Sequence, residues 1–246
     1  MKGAERKGSA TIAGTTRQAR GTMNADFSEM RLKMIDGQIR TTDVTNPAIL
    51  LAMGSVPREL FVDARLQPLA YIDENIEILP ASATGPARHL MQPSPFAKLL
   101  QLAEIAGGER VLVVGAGTGY SAAVIAALGA EVVALEQDPV LGDRAEAALA
   151  AVGAAGVRLV RGALDGGSPA DAPFDVILVE GAVDEIPEHL LEQLAEAGRL
   201  VTVAGQGNSG VARVYLKDNG LVTSRRAFNA SVKPLPGFER AEAFEF

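Results

Sequence analysis

Short apolar runs alternate with helical patterns through the second half of the chain. Runs rich in Val, Ile and Leu are typical of strands buried on both faces of a sheet. Such strands are predicted at 111–114, 131–135, 157–160, 175–179 and 199–204. Helices are predicted between them at 120–128, 139–152 and 187–195. Strands that alternate with helices indicate a mainly parallel sheet covered on both faces.

The alternation of strands and helices stops close to the end of the chain. Strand-like runs at 211–216 and 221–228 are joined by Lys217-Asp218-Asn219-Gly220, which leaves no room for a crossover helix. Asn-Gly is a strong hairpin signal, so these two strands are predicted to be antiparallel. The whole pattern predicts an α/β fold with a doubly wound, mainly parallel seven-stranded sheet of Rossmann-like type. N-terminal helices precede this sheet, and an antiparallel hairpin ends it.

Helical patterns precede the sheet. Apolar residues in 26–36 fit one or two helical turns, and a polar segment covers 37–45. Asn46-Pro47 supplies an N-cap and a first-turn proline for a helix through Met53. Pro57 opens another short helix. These helices are expected to form a lid or a platform beside the sheet.

The segment just before the sheet combines a ribbon, a loop and a helix. Residues 71–79 alternate in polarity and predict a short exposed strand or ribbon, whereas 81–88 is a loop by composition. Ser94 and Pro95 are expected to cap a helix that ends before Gly107. The residues of this helix predicted to face the core are Phe96, Leu99, Leu100, Leu102 and Ile105.

The chain is predicted to form a single domain behind a tail. Residues 1–25 are rich in Gly, Ala, Ser and Thr and lack an apolar period, so they are expected to be disordered, with Met23 as a plausible start. The domain covers 26–246. Within it, 26–93 is expected to form a helical, substrate-side region and 94–246 the cofactor-binding core.

Composition narrows the class of protein. The 246 residues are 48% hydrophobic, which suffices for one large core. The net charge of −7 argues against non-specific nucleic-acid binding. Thiolate zinc sites are excluded because cysteine is absent, and two histidines, His89 and His189, make a histidine-based metal site unexpected. No apolar run approaches the roughly 20 residues of a membrane span. We therefore expect a cytoplasmic protein without metal, nucleic-acid or membrane partners; its oligomeric state stays open.

The first predicted sheet strand leads into a glycine-rich turn. Gly115, Gly117 and Gly119 follow it, with Ala116 between the first two, and a helix begins near Tyr120. Glycines let the backbone approach a ligand closely, and the helix N-terminus points N–H groups at it. A dinucleotide site of the G-x-G-x-x-G type needs a glycine at position 120. The observed spacing favours S-adenosylmethionine, and a tight turn without a ligand is the alternative.

An acidic residue closes the second predicted strand. Glu136 stands 17 residues after Gly119, where a carboxylate can accept hydrogen bonds from both hydroxyls of a cofactor ribose. Gln137 is expected beside the same cofactor. The alternative for Glu136 is a solvated acid at a helix N-terminus, because Asp138 and Pro139 follow. Asp138 is expected to be the helix cap.

Two further loops are predicted to reach the same edge of the sheet. Ala163 and Leu164 follow the third strand and are expected to form an apolar wall for an adenine ring. Glu180 follows the fourth strand, near where a methyl donor and acceptor would meet. Either a functional carboxylate or a turn cap explains Glu180.

Motifs along most of the chain carry a family resemblance. The first are Asp43-Val44, Asn46-Pro47, Val56-Pro57-Arg58-Glu59, Tyr71-Ile72-Asp73 and Gln92-Pro93, followed by the glycine turn. Others lie at 172–175, 186–187, 190–194, 198–200 and 232–235. In this order they resemble the protein-L-isoaspartate O-methyltransferases, over nearly everything from about residue 28 onward.

The resemblance implies a reaction. Members of this family transfer the methyl group of S-adenosylmethionine to the α-carboxylate of an isoaspartyl residue in a damaged protein; the ester closes to a succinimide that can reopen to aspartate. The partner implied is therefore an isoaspartyl-containing protein or peptide, or another carboxylate acceptor. The substrate-side candidates are Tyr71, Asp73, Met91 and Gln92.

This chain departs from the family pattern at two places. The family reads Thr-Ile-Ser-Gln-Pro where this chain reads His89-Leu90-Met91-Gln92-Pro93, so Met91 occupies the serine position. A thioether cannot donate a hydrogen bond. Gly162-Ala163-Leu164 stands where the family reads Gly-Asp-Gly, which removes a carboxylate expected at the adenine amine unless Asp165 replaces it.

The departures keep other functions open. The same fold and cofactor could serve a different acceptor, or the chain could be a non-catalytic protein that binds the cofactor or a partner. An NAD-dependent oxidoreductase is a further alternative. Tyr120 and the terminal hairpin argue against it.

Overall fold

The computed structural model describes residues 27–82, 85–154, 156–205 and 207–240. A small ribbon is formed by β1 (Ile76–Leu79) and β2 (Arg88–Leu90). The strands of the main sheet are β3 (Arg110–Val114), β4 (Glu131–Glu136), β5 (Val157–Arg161), β6 (Phe174–Val183), β7 (Leu194–Ala204), β8 (Val211–Asp218) and β9 (Leu221–Asn229). The α-helices are α1 (27–34), α2 (Pro47–Ser55), α3 (Pro93–Ala103), α4 (Tyr120–Ala127), α5 (Pro139–Ala151) and α6 (Glu188–Leu191).

The main sheet has seven strands in the order β5-β4-β3-β6-β7-β8-β9. The first five in that order are parallel, and β8 and β9 pair antiparallel with their neighbours. Asn219 and Gly220 turn β8 into β9 with positive φ angles of 51° and 73°, as an Asn-Gly hairpin requires. The predicted fold class is therefore confirmed, including its antiparallel end.

The central strand explains why both faces of the sheet are covered. Along β3, Val111 and Val113 point into one buried apolar cluster, and Leu112 and Val114 point into a second cluster on the opposite face. Side chains alternate between faces in a strand, so an all-apolar strand needs apolar cover on both. The carboxyl end of β3 thus opens between two packed layers.

The N-terminal helices pack on the first of these faces. α1 continues into a π-helical turn (Ile35–Ile39) and a 3₁₀ turn (Arg40–Thr42), so the polar segment predicted at 37–45 is largely helical. Asn46 caps α2 as predicted, accepting a hydrogen bond from the Ala48 N–H at 2.9 Å. Single 3₁₀ segments follow at Arg58–Phe61 and Ala64–Leu69.

Three local predictions are wrong. The helix predicted at 187–195 is only the short α6, because β7 begins at Leu194 and pairs there with Phe174 of β6. The exposed strand or ribbon predicted at 71–79 does form a ribbon with β2, but it is confined to β1, and Ile76 and Ile78 are buried rather than exposed. Tertiary pairing and packing override the local pattern in both cases.

The third wrong prediction is the cap of α3. This helix begins at Pro93 with Gln92 in the N-cap position, so Ser94 and Pro95 lie inside its first turn. Asp73 supplies the capping carboxylate from outside the helix, accepting hydrogen bonds from the Ser94 N–H at 3.1 Å and hydroxyl at 2.6 Å. The predicted core face is confirmed for Phe96, Leu99 and Leu100, which are buried. Leu102 and Ile105 are half-buried, and Ile105 lies beyond the end of the helix.

Some predictions fall beyond what the structure describes. The tail predicted at 1–25 lies outside the described residues. The division of the domain at residue 93 stays a prediction. Within the described ranges, the helices are all too short or too polar to cross a membrane.

Candidate active site

The glycine turn joins β3 to α4 in a conformation that glycine allows. Gly115, Gly117 and Gly119 have φ angles of 81°, 57° and 92°. Other residues adopt such positive φ angles only with strain. The turn is buried, including Ala116. Four of the predicted cofactor residues thus form one compact turn at the carboxyl end of the central strand.

Glu136 lies beside this turn at the carboxyl end of β4. Its side chain is fully buried, and its carboxylate accepts backbone N–H groups of Gly117 at 2.8 Å and of Gln137 and Asp138 at 3.0 Å each. The alternative of a solvated helix-terminal acid is therefore wrong. Asp138 caps α5 as predicted, accepting from the N–H groups of Val140 and Leu141.

The Glu136 carboxylate also binds an arginine that the sequence did not single out. Arg88, at the start of β2, donates from Nη1 to Oε1 at 2.8 Å and from Nη2 to Oε2 at 2.9 Å. The Arg88 side chain is only 6% exposed. Residue 88 was predicted to end a loop, and its local sequence gave no signal of this contact. Bidentate, charge-assisted pairs of this kind are stronger than single neutral hydrogen bonds.

The β1–β2 ribbon and the C-terminal segment cover the glycine turn. A Cβ atom added to Gly117 would lie 2.9 Å from Ile78 Cδ1, and one added to Gly115 would lie 2.6 Å from Leu235 Cδ1. Arg144 of α5 holds the ribbon in place, donating to the Ile78 carbonyl oxygen at 2.6 Å. The close approach that the glycines allow is made here by side chains of the chain itself.

Glu180 lies within β6 and faces α4. It accepts a hydrogen bond from the Ser121 hydroxyl, so the alternative of a turn cap is wrong. Burial raises the pKa of the Glu180 carboxyl to about 7, against the lowering effects of Ser121, Arg58 and Arg88 and with a further rise from Glu136. Glu180 therefore belongs to the same charged cluster as Glu136 and Arg88.

Arg58 connects the covering segments to this cluster. It is fully buried, and it donates to the carbonyl oxygens of Ala70 at 2.8 Å and Met91 at 2.6 Å. Its guanidinium lies 4.7 Å from the centre of the Tyr120 ring. Met91 is buried as well, so its thioether packs in the core beneath the ribbon.

The other substrate-side candidates have structural partners. The buried Tyr71 donates its hydroxyl hydrogen to Glu59 and accepts from Arg31 Nε at 2.9 Å. Asp73 caps α3, as described above, and the Gln92 N–H donates to Asn75 Oδ1 at 3.2 Å. Each of these three residues is therefore engaged in a hydrogen bond within the chain.

The predicted adenine wall is only partly where it was expected. Leu164 is buried in the second apolar cluster with Leu235, whereas Ala163 is exposed. A cavity of about 360 Å³ opens nearby, between the tip of the ribbon and the start of α5, and Arg88 and Gln137 both line it. This cavity leads towards the buried Glu136.

The residues at this edge fit an adenosyl cofactor. A carboxylate held by three backbone N–H groups matches a ribose diol, and the adjacent glycine turn has no side chains to oppose a close ligand. In the observed conformation Ile78, Arg88 and Leu235 occupy the space in front of these groups. No group of three or more metal-ligating side chains comes together among the described residues.

Comparison with known proteins gives a consistent family. Residues 29–237 match the family model described as protein-L-isoaspartate(D-aspartate) O-methyltransferase. A protein-L-isoaspartate O-methyltransferase of Rhodopseudomonas palustris is 37% identical over 210 residues, which is 85% of this chain and 83% of that protein. One from Methylorubrum extorquens is 38% identical over 225 residues, or 91% and 96% of the two chains.

Solved structures agree with these relatives. A protein-L-isoaspartate O-methyltransferase superposes with a TM-score of 0.74 at 26% identity, covering 84% of this chain and 66% of that one. A Plasmodium falciparum structure, described as a protein-L-isoaspartate O-methyltransferase with S-adenosyl-L-homocysteine, gives 0.69 at 19% identity, covering 83% and 97%. The second likeness concerns the fold alone.

Proposed function

The chain belongs to the protein-L-isoaspartate O-methyltransferase family, whose cofactor is S-adenosylmethionine, and we propose that it methylates isoaspartyl residues of proteins. In this reaction a carboxylate oxygen of the isoaspartyl residue bonds to the methyl carbon as the sulfur–methyl bond breaks. The products are a methyl ester and S-adenosylhomocysteine. The observation that carries the proposal is the buried Glu136 carboxylate beside the glycine turn, in a chain whose relatives bear this name.

We assign the cofactor to the carboxyl ends of β3 and β4. Glu136 would accept the ribose hydroxyls, and the backbone of 115–119 would line the remainder of the cofactor. Gln137 and Ala163 would lie at the adenine side, and Gln137 lines the cavity that leads towards Glu136. The cofactor supplies an activated methyl group when bound.

The acceptor needs little acid–base assistance from the chain. A terminal-type carboxylate with a pKa of about 3.5 is ionised at neutral pH, so no general base is required. The protein's task is to orient the carboxylate and to exclude water. The buried side chains of Tyr71 and Met91 lie in the segment that we assign to the substrate side.

Methyl transfer to matched peptides tests the proposal. The protein is incubated with S-[methyl-³H]adenosylmethionine and a peptide that contains one isoaspartyl residue, and base-labile tritium is counted. Label is expected on the isoaspartyl peptide and not on the peptide with aspartate at the same position, and Glu136→Gln should weaken the transfer. No label above the aspartyl control at millimolar cofactor would contradict the proposal.

A different acceptor is the second candidate, and two observations favour it. Met91 cannot donate a hydrogen bond to an isoaspartyl carboxylate, and Glu180 has a pKa of about 7. A carboxyl group with such a pKa could take a proton from a hydroxyl acceptor, which needs a base. Transfer to a panel of hydroxyl and carboxylate compounds, with Glu180→Gln as the matched variant, separates the two candidates.

The proposed place of action is the cytoplasm, where the enzyme would repair damaged proteins. The absence of cysteine is compatible with a reducing compartment. Cell fractionation with an antibody against the protein tests this proposal. Isoaspartyl content in extracts of a deletion strain tests the role in repair.

A further inference from the structure

Arg88 binds the carboxylate that the cofactor ribose needs. Both of its terminal nitrogens are engaged with Glu136, and Nη2 also lies 3.4 Å from the Gly115 carbonyl oxygen. Ribose hydroxyls and a guanidinium both donate hydrogen bonds, and a carboxylate has a limited number of acceptor positions. Glu136 already accepts three backbone N–H groups besides Arg88. Its remaining acceptor capacity is taken by the arginine.

The ribbon that carries Arg88 also fills the space for a ligand. Ile78 on β1 and Arg88 on β2 approach the turn from the same side, and the two strands pair antiparallel. Arg144 fixes this arrangement from α5, binding the Ile78 carbonyl oxygen and forming an ion pair with Asp63 at 3.0 Å. The ribbon therefore closes the site in two ways: Ile78 fills the space in front of the glycine turn, and Arg88 pairs with the Glu136 carboxylate.

We infer that Arg88 is an affinity-determining residue that competes with the cofactor for Glu136, so that the cofactor binds only when the β1–β2 ribbon swings away. This inference rests on the proposed cofactor site. If only a small fraction of the protein is in the binding-competent state, the apparent affinity for the ligand is reduced by that fraction. Removal of the Arg88 side chain is therefore expected to raise the affinity for the cofactor.

Glu136 should remain satisfied without Arg88. Three backbone N–H groups still donate hydrogen bonds to its carboxylate. Arg88→Ala is thus expected to fold. Arg144→Ala offers a second route, because it loosens the ribbon and leaves both Arg88 and Glu136 unchanged. Arg213→Gln on β8, away from β4 in the sheet order, is the matched control.

Binding of S-adenosylhomocysteine, measured by calorimetry, tests the inference. Arg88→Ala is expected to bind about tenfold or more tightly than the unchanged protein, Arg144→Ala to shift in the same direction, and Arg213→Gln to stay within about twofold. Equal affinities for the unchanged protein and a folded Arg88→Ala variant would overturn the inference and leave the proposed function intact. If neither the unchanged protein nor any variant bound S-adenosylhomocysteine, both the inference and the proposed function would be overturned.

Hydrogen exchange of the unchanged protein gives an independent readout. Saturation with S-adenosylhomocysteine is expected to speed amide exchange in β1 and β2, because the ribbon leaves its place, and to slow exchange at Gly117. Slower exchange in β1 and β2 would mean that the ribbon closes over the ligand, and would overturn the inference. This measurement decides the question even if Arg88→Ala fails to fold.

Discussion

Replacement of Glu180 by glutamine is expected to stabilise the protein at neutral and alkaline pH. The carboxyl group accepts a hydrogen bond from Ser121, and burial raises its pKa from the ordinary 4.5 to about 7. Glutamine has the same shape, can still accept from Ser121, and carries no charge. The substitution therefore removes only the cost of an ionised carboxylate in this position.

The sign and size of the effect follow from the pKa. The unfolded chain loses the Glu180 proton near pH 4.5, whereas the folded protein holds it up to about pH 7. Stability from this group is thus fully present below pH 4.5 and is lost as the pH rises towards 7. The difference between these two pKa values corresponds to a loss of about 3 kcal/mol in the free energy of unfolding above pH 7.

Urea denaturation at several pH values between 5 and 8 measures the prediction. The free energy of unfolding of Glu180→Gln minus that of the unchanged protein should grow with pH and level off above about 7. Glu185→Gln is the control, because the Glu185 side chain is 66% exposed and pairs with Arg240 at the surface. A difference for Glu180→Gln that is flat across this pH range would refute the reasoning.

Two further substitutions test the site and the fold. Met91→Ser restores a hydroxyl where the family has serine and should raise isoaspartyl methylation about tenfold per folded molecule. The substitution should also lower the free energy of unfolding in urea by about 2–4 kcal/mol, because a buried side chain is truncated. If isoaspartyl methylation per folded molecule did not rise, our account of this position would be contradicted. Asn46→Ala removes the cap of α2 and should lower the unfolding free energy by about 1 kcal/mol, whereas Asn46→Asp should be close to neutral.

The sequence predicted the parts of the site that depend on local patterns. The apolar run of β3, the glycines after it and Glu136 at the end of β4 lie within one strand–helix–strand unit, and their relative positions follow from that unit. The terminal hairpin was equally local, because Asn219 and Gly220 define the turn.

The features of the fold and of the site that could not be predicted from the sequence depend on contacts between distant residues. Arg88 meets Glu136 across 48 positions, and Asp73 caps α3 from 21 positions before Ser94. Neither the alternating pattern at 71–79, which contains Asp73, nor the loop-like composition of 81–88, which contains Arg88, gave an indication of these contacts. The helical pattern at 187–195 was misleading because β7 begins within it and pairs with β6, a contact that the local sequence cannot indicate. Side-chain partners and ribbon placement are set by the assembled core.

An NMR titration with S-adenosylhomocysteine tests the central claim most directly, namely that the cofactor binds at the carboxyl ends of β3 and β4. We predict that the largest ¹⁵N–¹H shift changes occur at Gly117, Gln137 and Asp138, whose amides donate to Glu136. Unchanged amide signals at these three residues at millimolar ligand, or changes confined to another part of the sheet, would contradict the account.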